Sequence, residues 1–214
     1  RTNARCRSHF GYAKRYAKFS RPEMKPLMAI KHIILHLKGL ADALGRLGYR
    51  FNSPAPVGNP ASPEILASFE KRISLPSVLR EFYQHASYVD FNGVAPNAWT
   101  GCEYPDPIIV LPIEDALAEL NDYDHDVQEY TRAFGGFRFP IAPDAFHKAD
   151  VSGGMWYNIP FFPQPLPPDP IVSDFPYHVN TFGEYLTFAL KWSGFPGLSK
   201  SDHHSWPLDE LTKG

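Results

Sequence analysis

The stretch EILASFEKRISLPSVLREFYQHASYVDFNG, residues 64 to 93, decides the fold. Its apolar residues recur at helical spacing up to a Leu-Pro break, because the residue before a proline is pushed out of the helical region. We predict one helix that begins at Pro63 under a Ser62 cap, and a second short helix capped by Ser77. The alternating apolar run that follows predicts a strand that enters an Asn-Gly turn at Asn92.

Amphipathic helices are predicted on both sides of this stretch. The segment MAIKHIILHLKGLADALGRLGY, residues 28 to 49, carries apolar side chains at steps of three and four residues, with a stop at Gly48. Near the other end, NTFGEYLTFALKWSGFPG begins at Asn180 and has capping-box spacing at Thr181 and Glu184. Each segment is predicted to bury one face.

Short strands and one acidic helix are predicted for the middle of the chain. PIIVLPI (107 to 113), FRFPIAPD (137 to 144) and GGMWYNI (153 to 159) are the strand candidates, and residues 114 to 134 are predicted as a single acidic helix. Six prolines between positions 160 and 170 predict a long extended connection. We therefore expect an α+β fold, with a mixed, mainly antiparallel sheet and helices packed on one side.

Composition limits the class of protein. The chain has 214 residues, of which 43% are hydrophobic, as in an ordinary globular protein. Only Cys6 and Cys102 are present, so neither a disulfide scaffold nor a multi-cysteine metal site is expected. No apolar window is long enough for a transmembrane helix, and the N-terminal segment lacks the apolar centre of a signal peptide. We expect a cytoplasmic protein.

The basic residues are concentrated near the N-terminus. Residues 1 to 40 hold 10 of the 21 Lys and Arg residues and a single acid, Glu23, so the remainder of the chain carries a formal charge of -11. The first methionine is Met24. Residues 1 to 23 are therefore either a genuine basic arm or upstream sequence translated ahead of a natural start. We expect residues 24 to 214 to form a single domain with a polar C-terminal tail.

An acidic block begins within the second predicted helix. Residues 81 to 131 contain eleven Asp or Glu residues and no Lys or Arg. A field of that sign repels nucleic acid and attracts basic partners, although an acidic surface can also serve only for solubility. A loop tryptophan beside such carboxylates is typical of a binding hot spot. We predict that a protein partner is contacted by Asp90, Trp99, Glu103, Asp106, Glu114, Asp115, Glu119, Asp122, Asp124 and Asp126.

The same block does not predict a metal or cofactor site. Asp122, Asp124 and Asp126 alternate like the start of a calcium-binding loop, but Val127 and Ala133 stand where the loop needs Gly and Glu. No glycine-rich phosphate loop is present either. We expect no metal and no cofactor.

Cys102 raises one catalytic alternative, a hydrolase that would use this thiol together with a histidine. The surrounding sequence WTGCEYPD does not have the setting of a nucleophile at a strand-to-helix elbow, and a buried or idle cysteine is the commoner case. We expect that the protein is not an enzyme. A thiol that reacts at neutral pH would favour the hydrolase instead.

The order of several motifs resembles the SUKH superfamily, which contains immunity and protein-binding domains related to fungal cell-wall regulators. The resemblance spans roughly residues 62 to 198. After the Leu-Pro break, the motifs are LREFYQHAS (79 to 87), FNG (91 to 93), FPIAPDAFHKADVSGGMWYNI (139 to 159), DPIVSDF (169 to 175) and NTFGEYLTFAL (180 to 190).

This resemblance implies a non-catalytic α+β domain of the kind that bacteria use to bind and neutralise a toxin, often a nuclease, delivered by a neighbouring cell. The acidic block fits such a role, since matched potentials steer association with a basic enzyme. The sequence therefore predicts an immunity protein whose partner is a basic toxin domain rather than nucleic acid or a membrane. The alternative is an intracellular scaffold or regulatory protein without a toxin partner.

Overall fold

The structure, a computed structural model, describes residues 29 to 151, 154 to 162, 165 to 177, 179 to 200 and 205 to 211. The predicted basic segment of residues 1 to 23 lies outside the described residues. The helices are α1 (Ile30–Arg46), α2 (Pro63–Glu70), α3 (Ser77–His85), α4 (Ile113–His125), α5 (Val127–Phe134), α6 (Ala145–Lys148), α7 (Phe182–Lys191) and α8 (Leu208–Leu211), with a 3-10 helix at Pro196–Lys200. The strands are β1 (Arg50–Phe51), β2 (Val89–Asp90), β3 (Gly93–Val94), β4 (Ile109–Val110), β5 (Arg138–Ala142) and β6 (Tyr157–Pro160).

The strands pair in three antiparallel ladders. β1 pairs with β3, β2 with β4, and β5 with β6. Beyond β4, the backbone N–H of Leu111 donates a hydrogen bond to the carbonyl of Ile141 at 2.8 Å, which joins the second ladder to the third. The predicted α+β class is confirmed, while the predicted sheet is divided into short pairs within the described residues.

Asn92 and Gly93 do not form the predicted hairpin turn, because β2 and β3 pair with other strands. The Asp90 carboxylate accepts a hydrogen bond from the Asn92 backbone N–H at 2.9 Å, which bends the chain after β2. Gly93 then lies so close to β1 that a Cβ atom would stand 2.3 Å from the carbonyl oxygen of Arg50. The glycine permits close approach of two backbones rather than a tight turn.

The two predicted caps in the central stretch have different outcomes. Ser62 caps α2 as predicted, since its side chain accepts a hydrogen bond from a backbone N–H of the first turn at 3.3 Å. The predicted cap at Ser77 is wrong. The residue that precedes α3 is Pro76, and the Ser77 hydroxyl instead donates to the carbonyl of Pro168 at 3.4 Å.

The buried face of α1 packs against α3 and α7. The apolar periodicity that predicted this helix corresponds to that face, which consists of Ile30, Ile33, Ile34, Leu37, Leu40, Ala41 and Leu44. Removal of this apolar stripe from water stabilises the helix far more than its backbone propensity does. These residues belong to one hydrophobic core that extends to Leu211.

Phe69 packs α2 against the β5–β6 ladder. Its ring centroid lies 5.5 Å from that of Phe139, 6.2 Å from Phe161 and 6.4 Å from Phe137. Aromatic pairs in such edge-to-face or tilted arrangements contribute roughly 0.5–1.5 kcal/mol beyond the area they bury. Aromatic packing therefore holds α2, the helix before the Leu-Pro break, against the β5–β6 ladder.

Tyr185 joins α7 to β4. Its hydroxyl donates to the carbonyl of Ile109 at 2.7 Å and accepts from the backbone N–H of the same residue at 3.3 Å. The ring is fully buried, and this burial raises the pKa of Tyr185 well above its ordinary range. The tyrosine thus satisfies both backbone groups of Ile109.

The acidic helix predicted over residues 114 to 134 is interrupted. α4 ends at His125, and Asp126 adopts φ -138°, outside the helical region. The Asp126 carboxylate then accepts a hydrogen bond from the backbone N–H of Glu129 at 3.0 Å and so caps α5. The single helix that was predicted here is therefore two helices, α4 and α5.

The capping box predicted for α7 is confirmed and gives the first testable prediction. The Thr181 hydroxyl accepts from the Glu184 backbone N–H at 3.3 Å, and the Glu184 carboxylate accepts from the Thr181 N–H at 3.2 Å. Thr181→Ala removes this cap, together with the 2.6 Å hydrogen bond that the same hydroxyl donates to Asp169, so we expect the free energy of unfolding to fall by about 1–2 kcal/mol. Urea denaturation followed by tryptophan fluorescence measures the change.

The matched control lies in the same helix. The exposed Thr187 donates only to the carbonyl of Gly183, at 2.9 Å within the helix. Thr187→Ala should leave the free energy of unfolding unchanged within about 0.5 kcal/mol, because alanine has the higher helix propensity. Equal losses in the two variants would contradict the capping role of Thr181.

Candidate functional site

Most of the predicted contact residues are exposed, and most of the exposed ones lie on α4 or at its junction with α5. The exposed set consists of Glu103, Glu114, Asp115, Glu119, Asp122, Asp124 and Asp126. Glu129 on α5 is also exposed and acidic. We call the carboxylates of α4, α5 and their junction the acidic face: Glu114, Asp115, Glu119, Asp122, Asp124, Asp126 and Glu129.

Three carboxylates of the acidic face have structural partners. Asp124 forms an ion pair with Arg72, which follows α2. Glu119 accepts a hydrogen bond from the hydroxyl of Tyr130 at 3.2 Å. Asp126 caps α5. These three side chains hold α2, α4 and α5 together and are only partly available to a partner.

The other four carboxylates make no side-chain hydrogen bond or ion pair with the residues that the structure describes. They are Glu114, Asp115, Asp122 and Glu129. Burial, and secondarily the charge of Glu114, raises the pKa of Asp115 above its ordinary range. Arg72 and Arg132 bring positive charge to this surface, and the Arg138 guanidinium lies 5.4 Å from the centroid of the Phe134 ring. The seven carboxylates outnumber these three basic groups, so the acidic face is negative and attracts cations.

The prediction that Asp106 contacts a partner is wrong. Its side chain is fully buried, and the ammonium group of Lys148 lies 2.6 Å from its carboxylate. Lys148 is equally inaccessible, with 1% of its side chain exposed. A charge that is desolvated and paired in this way cannot meet another protein.

Asp90 and Trp99 are half-buried, and their predicted contacts with a partner stay predictions. Asp90 holds the bend after β2. The Trp99 ring stacks on Tyr49 with a centroid distance of 6.1 Å and packs against Trp206 at 5.1 Å. Much of the surface that a hot-spot residue would offer is therefore already used in packing.

Two tyrosines complete the environment of the buried ion pair. The Tyr157 hydroxyl donates to the Asp106 carboxylate at 3.0 Å, and the charge of Asp106 also acts on the Tyr177 hydroxyl. The Lys148 ammonium lies 5.0 Å from the centroid of the Tyr157 ring, in the geometry of a cation–π contact. Asp106 has φ +51°, a left-handed conformation that aspartate tolerates better than most residues.

Burial dominates the proton equilibria of this network. It lowers the pKa of Lys148, and the Asp106 carboxylate opposes that change. Burial, followed by the charge of Asp106, raises the pKa of Tyr157 and Tyr177 far above the ordinary tyrosine value. Both hydroxyls therefore stay protonated and act as donors at neutral pH.

A cavity of about 550 Å³ lies beside this network. Among its lining residues are Cys102, Asp144, Phe146, Met155, Tyr157 and Tyr177. The apolar rim is exposed, since 46% of Phe146 and 53% of Met155 are accessible. The cavity thus combines aromatic walls with a few polar groups, as small-molecule sites and interface pockets both do.

Asp144 is the buried carboxylate of this cavity. Its Oδ1 atom accepts from the backbone N–H groups of Phe146 and His147 at 2.9 Å and lies 3.0 Å from the His147 Nδ1 atom. Its Oδ2 atom has no hydrogen-bond donor among the described residues. A Cβ atom at Gly154 would stand 1.4 Å from Oδ2, so this glycine covers the oxygen from one side.

Cys102 lacks the setting of a nucleophile. Burial, and to a smaller extent Asp106, raises the pKa of its thiol, which disfavours the reactive thiolate. The described residues that line the cavity include no histidine. Nor do three or more His, Cys, Asp or Glu side chains come together as a metal site in the described part of the chain.

The sequence patterns did not predict Lys148 or the buried network. One signal was available, because Asp106 stands between Pro105 and Pro107 directly before the apolar run IIVL. A carboxylate at the start of a buried strand needs a partner. Lys148 stands 42 positions further along the chain, and the sequence does not identify it as that partner.

Comparison of the chain with models of known protein families finds no family that matches. A comparison with curated proteins also finds no match. The resemblance to the SUKH superfamily therefore stays a prediction. No helix in the described ranges is both long enough and apolar enough to cross a bilayer.

Lys148→Met tests the buried ion pair. We expect the free energy of unfolding to fall by about 3–5 kcal/mol, because the variant leaves the Asp106 charge buried without a partner. Urea denaturation provides the measurement. In the double variant Asp106→Asn, Lys148→Met, no charge is left behind, and asparagine also tolerates positive φ. The double variant should be more stable than Lys148→Met alone, and the opposite order would contradict the pairing.

The buried tyrosines predict a loss of stability at alkaline pH. Burial raises the pKa of Tyr83, Tyr157, Tyr177 and Tyr185 in the folded protein. The folded state therefore keeps these protons while the unfolded chain releases them near pH ~10. The associated stability is complete below that pH and is lost as the pH rises above it. The lowered pKa of Lys148 has the opposite effect and favours the folded state as the pH rises, but this is one lysine against four tyrosines.

Tyrosinate absorbance checks this prediction in an alkaline titration of the native chain. Exposed tyrosines should ionise reversibly, and the buried ones only in a second step that coincides with loss of the native circular dichroism. The chain unfolded in guanidinium chloride serves as the control and should titrate in one step. A single step in the native chain, with the fold retained, would contradict the burial of these hydroxyls.

Proposed function

We propose that this chain is a non-catalytic protein-binding domain of the SUKH type. In this proposal it acts in the cytoplasm as an immunity protein and binds a basic toxin domain, such as a nuclease, through the acidic face. The observation that carries the proposal is the set of four exposed carboxylates on α4 and α5 that lack partners among the described residues. The order of the SUKH-like motifs supports it as a resemblance.

The acidic face supports binding because its charge is concentrated on a rigid surface. α4 is held against the β5 ladder by Ile113, Ala116 and Leu120, which are buried. The carboxylates on its outer side are thus presented in fixed positions. A potential of this kind accelerates encounter with a basic protein and disfavours acidic competitors, while its contribution to the final affinity is smaller.

The chemistry near Cys102 supports the non-catalytic part of the proposal. A thiol whose pKa is raised by burial is a poor nucleophile at neutral pH. Asp106 and Lys148 neutralise each other beneath the cavity, and Tyr157 and Tyr177 retain their protons. These five groups stabilise the fold and are poorly suited to move a proton in a reaction.

An intracellular scaffold or regulatory protein without a toxin partner is the second candidate. It is favoured by the apolar side chains at the rim of the cavity, because Phe146 and Met155 are each more than 40% exposed. Exposed apolar groups that surround a cavity are typical of interfaces that do not depend on charge. Such a partner would be held regardless of ionic strength.

Charge reversal distinguishes the two candidates. The variant Glu114→Lys, Asp122→Lys, Glu129→Lys removes carboxylates that have no described structural partner, so the fold should persist. Affinity capture of a basic protein from the source lysate should succeed with the unmodified chain at low salt and fail with this variant. Captured proteins are identified by mass spectrometry, and association rates are then measured with the purified partner.

A matched pair of single variants controls for net charge. Asp122→Lys on α4 should slow association about tenfold, whereas Asp42→Lys, at an exposed position of α1, should leave the rate within about twofold. A partner that is retained by the triple variant and in high salt would contradict binding through the acidic face. It would favour the scaffold candidate and the apolar rim instead.

A further inference from the structure

α5 is an amphipathic helix that buries none of its residues. Val127, Tyr130 and Phe134 recur at the spacing that places side chains on one side of a helix. Val127 and Phe134 are each 44% exposed. A short helix is normally stabilised by packing its apolar face against the core, so this face is available for another segment of polypeptide.

A groove lies beside this apolar face. A cavity of about 500 Å³ is lined by Tyr123, Thr131, Gly135, Gly136 and Phe162. The aromatic rings around it contact one another, with centroid distances of 5.7 Å between Tyr123 and Tyr130 and 6.3 Å between Tyr123 and Phe162. We call this cavity, together with the exposed faces of Val127 and Phe134, the α5 groove.

Carboxylates outnumber basic groups around the α5 groove. Arg132 belongs to α5, and the Arg138 guanidinium lies 5.4 Å from the centroid of the Phe134 ring while it pairs with Asp174 at 3.5 Å. The Tyr130 hydroxyl donates to Glu119, and the charges of Glu119, Asp122 and Glu129 act on the same ring, where they add to burial in raising the pKa of Tyr130. Asp126 caps the N-terminus of α5, next to Val127. A segment that combines apolar side chains with positive charges would therefore complement both the floor of the groove and its rim.

We propose that the N-terminal segment of this chain, residues 1 to 28, binds in the α5 groove. This segment holds eight Lys and Arg residues against the single acid Glu23. Its aromatic residues alternate with these charges in the run FGYAKRYAKF, residues 10 to 19. The segment therefore combines aromatic side chains, which suit the apolar floor of the groove, with basic side chains, which suit the carboxylates at its rim. The inference takes residues 1 to 23 as a genuine arm of the protein.

The length of the segment is sufficient. The described chain begins at Ala29, next to α1, and 28 residues span at most about 90–100 Å when extended. A short tether typically gives an effective concentration on the order of 1 mM. An interaction with a Kd of about 100 µM between separate molecules would then fill the groove in about nine molecules of ten.

Docking of the arm would regulate the acidic face. This consequence rests on the proposed function, because the arm and a basic partner would compete for the same carboxylates. Only molecules with an empty groove would then bind the partner. The apparent affinity for the partner would fall in proportion to the fraction of molecules in which the groove is empty. The docking itself does not depend on the existence of a toxin partner.

A spin label on Cys6 tests the docking in the full chain. Cys102→Ser leaves Cys6 as the single thiol, to which a nitroxide is attached. In 15N spectra at low salt, the amide signals of Val127–Phe134 should be broadened beyond those of other surface segments. Raising NaCl to 1 M, where the Debye length is about 3 Å, should relieve the broadening. Reduction of the nitroxide gives the reference spectrum.

Two surface variants show whether the groove is the site. Phe134→Ser removes an apolar anchor and should abolish the selective broadening. Leu35→Ser changes a residue of α1 that is 54% exposed, and it should leave the broadening intact. Both positions are on the surface, so thermal unfolding should show that each variant keeps its fold. Equal effects of the two variants would overturn the inference.

A mixing experiment identifies other occupants. When 15N-labelled chain without a nitroxide is mixed with spin-labelled, unlabelled chain, docking within one molecule predicts no broadening of α5. Broadening in the mixture would assign the groove to a second copy and overturn the inference. Absence of selective broadening in every sample would also overturn it. Neither result bears on the capture of a basic partner, which tests the proposed function separately.

Discussion

The buried ion pair between Asp106 and Lys148 is the constraint on which the rest of the structure depends. It joins the entrance of β4 to α6 across 42 positions of sequence, and both side chains are excluded from water. Such a pair contributes little net stability compared with apolar residues, but loss of either partner leaves a buried charge. The arrangement of the chain around it is therefore narrowly defined. Tyr157 adds a hydrogen bond from the cavity side.

The acidic block contains two kinds of carboxylate, buried and exposed. Asp106 lies inside and is neutralised, whereas the carboxylates of α4 and α5 lie outside, and four of them have no partner among the described residues. Charge alone did not distinguish these two kinds. The exposed group is the one that can meet a partner, so the functional proposal rests on the acidic face and not on the count of acidic residues.

The acidic face and the α5 groove are two aspects of one surface. Tyr130 connects them, since its hydroxyl donates to Glu119 while its ring packs at 5.9 Å from that of Phe134. Charged rims around apolar anchors are the usual anatomy of a protein interface. The surface therefore has both components that binding requires, steering by charge and a patch that gains from desolvation.

Local patterns in the sequence predicted local structure well. The periodicity of α1, the cap at Ser62 and the capping box at Thr181 each depend on residues within one or two turns, and each is confirmed. The break at Asp126 was missed because an Asp among other acidic residues is equally compatible with a helix interior and a cap. The exposure of the α4 carboxylates follows from the same helical periodicity.

Features that depend on distant residues could not be predicted in this way. Ser77 was expected to cap α3, but a carbonyl at Pro168 takes its hydroxyl. Gly93 was expected in a turn, but the backbone of β1 approaches it instead. The burial of Asp106 depends on Lys148, for which only spatial proximity gives a reason. In each case, tertiary contact overrides the local preference.

Hydrogen–deuterium exchange of the full chain, alone and with its captured protein partner, tests the central claim most directly. The account predicts that the partner slows exchange of backbone amides in residues 113 to 134, which contain the acidic face. Exchange around the cavity, in residues 101 to 104 and 144 to 148, should be unchanged. Protection confined to the cavity segments, with α4 and α5 unaffected, would contradict binding through the acidic face.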